Sequence, residues 1–330
     1  MIICTSICAN YLPKAMALAE SVKKVDSRIK FLVCLTEREV HQVAENFKSF
    51  DYIVLSKDIG FSNFDQFIFK HTIVEASTAV KGQLFRYMLD NFLDEDKFVY
   101  LDPDIIVYSE FSELNEVLER ESIVLTPHML KPGNIDMEIS SLKHGAFNLG
   151  FLAIKRSEEA NRFINWWAER LFFYCYDDIP AGLFTDQKWI NLAPGFFNIY
   201  ILKHFGYNYA TWSLLTRNLT KEGENYMVEG QTLRFIHYSG IDSGSINWAI
   251  NEWLGENNTS PFIQLYNDYK KTLKNFGQSI LGKIPWSYGY YNSGEFIEKE
   301  VREMYKRGLY WELEHPYDLS NEIIKNMNAN

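Results

Sequence analysis

The chain is poor in cysteine. It has four among 330 residues, at Cys4, Cys8, Cys34 and Cys175, with no CxxC pair and no disulfide-rich pattern. That usage excludes a disulfide framework and suits buried free thiols in a reducing compartment. Excess positive charge is also missing. Thirty-three Lys and Arg face 43 Asp and Glu, a formal net charge of −10, which argues against broad nucleic-acid binding. No apolar run reaches transmembrane length. The opening MIICTSICANYLP lacks the basic start of a signal peptide and reads as a first strand. Glycosylation sequons at NLT (218–220) and NNTS (257–260) therefore stand without a secretion signal. Internal repeats and long low-complexity linkers are absent.

What the chain has is apolar and aromatic bulk: 47% hydrophobic residues, with 20 Tyr and 24 Phe, enough for a large core. Aromatics in that number fill cores, and they also suit a sugar-facing or membrane-adjacent surface.

Strand and helix signals alternate through the first half. IICTSIC (2–8), IKFLVCL (29–35) and DYIVLS (51–56) read as strands, and 12–25 has helical spacing. A helix is predicted over 75–93, weakened at Gly82, followed by the apolar run KFVYLDPDIIV at 97–107. Residues 111–120 read as a short helix, 122–128 as a strand, and 131–145 as a polar loop or insert beside a site. FNLGFLAIKR (147–156) returns to strand character. A strong helix follows at 157–174, with Ser157 as N-cap and acidic residues in its first turn. Residues 176–197 are irregular, and LRFIHYSG (233–240) places a strand directly before His237. This order predicts an α/β sheet with helices on its faces, a break near residue 240, and a helical, aromatic-rich remainder covering the core.

Within YLDPDII (100–106), Asp102 and Asp104 interrupt a buried-looking segment. Two unpaired carboxylates there are costly, so a cation, a basic partner or solvent must meet them. Their hard oxygens suit Mg²⁺ or Mn²⁺, and Pro103 can turn the chain so that both face one ion. An ordinary polar turn is the competing explanation. His237, at the end of another apolar segment, offers a neutral imidazole as a third ligand. Diphosphate oxygens and water would complete such a shell.

Together these segments resemble GT-A glycosyltransferases, and especially enzymes related to glycosyltransferase family 8. LDPDI resembles their DxD motif, CTSICANYLP (4–13) their nucleotide-binding first strand, and STAVKGQLFRYML (77–89) the segment before the DxD strand. HGAFNLGFLAIKR (144–156), TDQKWIN (185–191) and FIHYSG (235–240) resemble, in order, a donor- and acceptor-site segment, an Asp–Gln pair and a late metal-histidine motif. IDSGSINW occupies 241–248, where that family usually carries Lys-Pro-Trp.

The resemblance implies a Rossmann-like nucleotide-sugar-binding core with a mixed central sheet over residues 1–240. A helical C-terminal extension over 241–330 would pack on it. It implies a metal-dependent transfer of sugar from a nucleotide diphosphate, a UDP-sugar first among donors, to a glycan, lipid-linked or protein-linked hydroxyl, as in polysaccharide biosynthesis. Asp102, Asp104 and His237 would hold Mn²⁺ or Mg²⁺. Thr5, Ile7, Ala9, Asn10 and Gly240 would lie near the nucleotide, and Lys81 and Arg86 would approach the diphosphate or position a neighbouring carboxylate. Asn148, Asp186 and Gln187 are the catalytic candidates: the first for orienting sugar hydroxyls, the second for orientation or general base work. His144 is a further phosphate or acceptor contact. Trp189, Tyr238 and the aromatic stretch 285–297 are candidates for the acceptor side. A cytoplasmic enzyme, with peripheral contact at the inner face of the membrane and no nucleic-acid partner, completes the expectation. Its rivals are a nucleotide-sugar pyrophosphorylase, or related nucleotidyltransferase, and a non-enzymatic carbohydrate-binding protein.

Overall fold

The computed structural model describes residues 1–255, 259–309 and 313–328; both asparagines of the NNTS sequon fall outside them. A seven-stranded sheet forms the centre. Its strands are β1 (Ile2–Ile7), β2 (Lys30–Leu35), β3 (Tyr52–Leu55), β4 (Lys97–Leu101), β6 (Ile123–Pro127), β7 (Phe147–Lys155) and β10 (Tyr200–Ile201), in the order β10-β6-β7-β4-β1-β2-β3. Strand β7 runs antiparallel to β4 and β6, and all other neighbours are parallel, so the sheet is mixed. Strand β1 is buried along its whole length, as a parallel strand covered on both faces requires.

Alternation along β1 divides the core. Ile2 and Cys4 face a layer built from α5 (Lys81–Asn91) and α8 (Glu158–Tyr174), while Ile3 and Ile7 face α1 (Leu12–Val25) and α6 (Ser112–Arg120). Ser157 caps α8 by accepting from Ala160 N at 3.0 Å. Much of the C-terminal part joins the first layer: Trp286, Tyr288, Tyr305 and Tyr317 pack with Phe69. The shorter helices are α2 (Gln42–Glu45), α3 (Phe64–Phe69), α4 (Ile73–Ala79), α7 (Ile135–His144), α9 (Ser245–Ala249), α11 (Gln278–Leu281), α12 (Lys299–Met304) and α13 (Asn321–Asn328). Helix α10 (Pro261–Asn275) packs on a third cluster containing Tyr209 and Tyr238.

Three local expectations change. The helix predicted over 75–93 is two helices, α4 and α5, meeting at Val80; a Thr72–Glu75 capping box starts the first. Gly82 is a close-approach glycine, since a Cβ there would lie 2.6 Å from the Ala168 backbone of α8. The polar stretch 131–145 contains a helix over Ile135–His144, where Asn134 accepts from Met137 N at 2.9 Å and caps α7. Finally, the run at 97–107 is two strands. Leu101 ends β4, β5 covers Ile105–Val107, and Asp102 O accepts from Ile105 N at 3.1 Å across a turn with Pro103 at its second position.

That turn hands the chain to another sheet. Strand β5 pairs antiparallel with β15 (Phe235–His237), and β15 pairs parallel with β11 (Tyr209–Ala210). His237 stands opposite Ile105 and Ala210, and Tyr238 N donates to Asp104 O at 2.9 Å. Ile105 and His237, 132 apart in sequence, are thereby placed side by side. Two further small sheets, β8 (Asp177–Asp178) with β9 (Leu183–Phe184), and β12 (Leu219–Glu222), β13 (Asn225–Val228) and β14 (Gln231–Thr232), complete the strands.

Candidate active site

A cleft of about 1510 Å³ opens where β1 and β4 end and β7 begins. Ser6, Ile7, Cys8, Asn10 and Tyr11 form one wall, and helix α7 contributes Met137, Ser140 and His144 from another side. Asp102, Asp104 and His237 meet on the floor, with one ligand atom from each within 4.8 Å of the others. His237 Nε2 is 3.0 Å from Asp104 Oδ1 and 3.7 Å from Asp102 Oδ2. Two carboxylates and an imidazole nitrogen aimed at one point fit a hard or borderline divalent cation. Burial alone pulls the His237 imidazole down, but the Asp104 and Asp102 charges outweigh it and hold the ring above its ordinary value. Burial likewise raises Asp104, and His237 more than reverses that shift.

Lys81 joins two carboxylates. Its ammonium is 3.2 Å from Asp102 Oδ1, 3.0 Å from Asp186 Oδ2 and 3.1 Å from Leu149 O. Burial by itself lowers Lys81; Asp102 and Asp186 raise it well above the usual lysine range. Asp186 ends up raised, through burial and the Asp102 charge, against the pull of Lys81. Its backbone is fixed from outside the cleft, where Trp167 Nε1 donates to Asp186 O at 3.1 Å. Thr185, with φ of 44°, holds the turn before it, a strained conformation for a β-branched residue.

A buried amide cluster lies behind His237. Gln187 Oε1 accepts from Leu149 N at 3.0 Å and from Asn148 Nδ2 at 3.3 Å, while Gln187 Nε2 donates to His144 O at 3.1 Å. His128 contacts Asn148 at 3.2 Å through Nε2 and Gly145 O at 2.8 Å through Nδ1. Burial lowers the His128 imidazole to about 4, so it is neutral at physiological pH. Trp212 packs edge-on against both His128 and His237, with ring centroids 5.0 and 5.5 Å apart.

Of the residues singled out in the sequence, Ile7, Asn10, Lys81, Asp102, Asp104, Asn148, Asp186, Gln187, His237 and Gly240 line this cleft, as does His144. Thr5 and Ala9 are buried outside its lining, and Ala9 N donates to Glu37 Oε1 at 2.8 Å. Arg86 is elsewhere. Its guanidinium donates to Asn165 Oδ1 at 2.8 Å and lines a separate hollow beside Phe61 and Phe172. Five helical residues turn about 140°, so Lys81 and Arg86 face different ways.

The aromatic expectations also move. Tyr238 is fully buried and stacks on Tyr269 at 4.3 Å, and Trp189 Nε1 donates to Tyr174 O at 3.0 Å; neither lines the cleft. Within 285–297, Trp286, Tyr288 and Tyr291 are core, with Trp286 Nε1 donating to Thr36 O at 2.9 Å, while 292–296 are exposed, and none of the span lines the cleft. The cleft takes its indoles from Trp212, Trp248 and Trp253 instead. His128 was missed, and so was the helical form of the 131–145 segment, although its place beside the site was expected. His128 carried a readable signal, since it ends the strand-like SIVLTPH as His237 ends its own.

A family model described as Glycosyl transferase family 8 matches residues 2–242. The Bacillus subtilis protein YfnF is 25% identical over 255 residues, 74% of this chain and 82% of its own length. A structure of the galactosyltransferase LgtC with donor and acceptor sugar analogs superposes with a TM-score of 0.52 at 15% identity, covering 86% of this chain and 98% of LgtC. An LgtC active-site mutant gives a TM-score of 0.51 at 14% identity, covering 82% and 96%. At those identities the structural likeness speaks to fold alone: a GT-A architecture.

Proposed function

The chain belongs to glycosyl transferase family 8, and from that premise we propose that this glycosyltransferase moves a sugar from a UDP-sugar donor to a hydroxyl of a glycan, lipid-linked or protein-linked acceptor. The observation that carries the reading is the convergence of Asp102, Asp104 and His237 at the foot of a cleft large enough for donor and acceptor together. We assign those three residues to Mn²⁺ or Mg²⁺. When bound, the ion would neutralise diphosphate charge and stabilise the departing nucleotide.

The remaining roles rest on this chain's own groups. Ile7, Cys8 and Asn10, with Gly240, line the cleft at the strand end and suit a base and ribose there. Asp186 has one oxygen beside Lys81 and the other accepting from Thr185 Oγ1 at 3.1 Å. Those contacts support holding sugar hydroxyls rather than taking a proton. Gln187, tied to the backbone at both ends of its amide, supports the Asn148 segment. The acceptor oxygen would form the new bond to the anomeric carbon as its bond to the diphosphate breaks. Trp248 and Trp253, with rings 5.4 Å apart at the cleft wall, offer apolar faces to an acceptor sugar.

We assign residues 1–240 as the catalytic domain and 241–330 as its extension. No helix among the described residues is long and apolar enough to cross a membrane. Ile135, Ile139 and Leu142 form an exposed stripe on α7, which supports peripheral contact of the cleft rim with a membrane surface.

A screen of UDP-sugars with Mn²⁺, read by UDP release and product mass, tests the reading. Turnover is expected to vanish on chelation and in Asp102→Asn and Asp104→Asn. Unchanged turnover in both folded variants would remove the proposed metal centre.

A further inference from the structure

The orientation of the His237 ring is set through a chain of amides that ends on a residue outside the cleft. Asn148 Oδ1 accepts from Gly150 N at 3.1 Å. A backbone N–H can only donate, so this bond fixes which end of the Asn148 amide is oxygen. The same oxygen is 3.2 Å from His237 Nδ1 and 3.0 Å from Asn208 Nδ2. His237 must therefore present Nδ1–H to Asn148. In the neutral ring this leaves the Nε2 lone pair directed at Asp104 and Asp102. Gly150 lets the ring lie against β7, for a Cβ there would be 2.5 Å from His237 Cε1.

Asn208 is the far anchor. It is completely buried, and its Nδ2 also donates to Thr126 Oγ1 of β6 at 2.9 Å. Both of its amide protons are thus used, one on β6 and one on Asn148. It directly precedes β11, whose Ala210 pairs with His237, so its backbone belongs to the sheet that carries the ligand. Its φ of 50° is one that asparagine tolerates better than most side chains.

We propose that Asn208 is a positioning residue for the metal centre: it holds the Asn148 oxygen in place and so keeps His237 in the tautomer that can ligate a cation. The inference rests on the metal assignment made above. Residues that orient a ligating histidine contribute about 10–100-fold in metal affinity when removed.

The strained backbone could itself explain an asparagine, so the test separates backbone from amide. Asn208→Gly keeps the left-handed φ accessible and deletes the side chain. Mn²⁺ binding, measured by calorimetry on the full chain without nucleotide, is expected to weaken at least tenfold. Thr126→Val frees one Asn208 proton without touching the backbone at 208 and is expected to weaken binding to a smaller, measurable degree. Wild-type Mn²⁺ affinity in a folded Asn208→Gly protein overturns the proposal. If that variant does not fold, wild-type affinity in Thr126→Val overturns it. A wild-type protein that binds no Mn²⁺ overturns the metal assignment itself, a result distinct from either.

Discussion

Lys81 and Asp186 form a nearly sealed ion pair beside the cleft floor: Nζ and Oδ2 are 3.0 Å apart, with side-chain exposures of 2% and 4%. The same ammonium reaches Asp102 at 3.2 Å. One buried cation thus fixes the spacing between the carboxylate assigned to metal and the one assigned to sugar.

Removing that cation is expected to cost stability as well as activity. Breaking a buried pair typically costs about 3–5 kcal/mol because it strands a charge. Asp186, already raised by burial, can partly escape by taking up a proton. Lys81→Met is expected to lose roughly 3 kcal/mol in denaturant unfolding at neutral pH, and less in mild acid. Asp186→Asn should compensate, so the double variant should lose less than the sum of the singles, by about 1–3 kcal/mol. Simple additivity would show that the two side chains are not coupled.

Acid stability should depend on buried neutral histidines. Burial lowers His128 to about 4, and burial together with the Lys70 charge lowers His71 well below its ordinary value. An unfolded histidine takes up its proton near about 6.5. A histidine held lower than that in the fold favours the folded state fully above this pH. Its contribution is lost as pH falls toward the folded value. Each such group steepens the decline by at most about 1.4 kcal/mol per pH unit. Unfolding free energies between pH 6.5 and 4.5 should therefore decline less steeply in His128→Gln than in the wild type. Identical slopes would mean that His128 takes up its proton in the folded protein as it does in the unfolded chain.

The acceptor wall can be tested through an indole. Trp248 is 58% exposed and packs edge-on against Trp253 at 5.4 Å. Loss of an aromatic face is worth about 0.5–1.5 kcal/mol beyond area burial. Trp248→Ala is expected to raise the acceptor KM roughly three- to tenfold, and the donor KM by much less. An effect on the donor alone would move this wall to the nucleotide side.

Much of the cleft floor was legible because its signals are local. Asp102–Pro103–Asp104 interrupts an apolar run, and buried carboxylates there demanded partners. Their partner His237 was legible from the end of another apolar segment, but the strand pairing of Ile105 with His237 that brings it alongside has no local signal. The aromatic assignments failed for a related reason. Tyr238 follows the late histidine directly, but strand alternation turns it away to stack on Tyr269. Trp248 carries no motif at all and reaches the cleft only through the packing of α9. The amides of Asn148 and Asn208 sit on β7 and ahead of β11, and no spacing in the sequence links them.

Arg86 gives the sharpest contrast between motif and placement. It lies five residues after Lys81 on the same helix, and its bidentate fork suits a diphosphate. In the fold its fork is spent on α8: Nε donates to Asn165 Oδ1 at 2.8 Å, and a terminal nitrogen to Asn165 O at 3.2 Å. Its surroundings are a side hollow lined by Phe61, Gln83 and Phe172, not the nucleotide cleft. Arg86→Ala should therefore leave the donor KM within about twofold of wild type and lower stability by roughly 1 kcal/mol, the usual worth of a side-chain hydrogen bond. Parallel steady-state kinetics and thermal melts of the two proteins check this. A donor KM raised tenfold, with an unchanged melt, would return Arg86 to the diphosphate and require α5 to rotate when the donor binds.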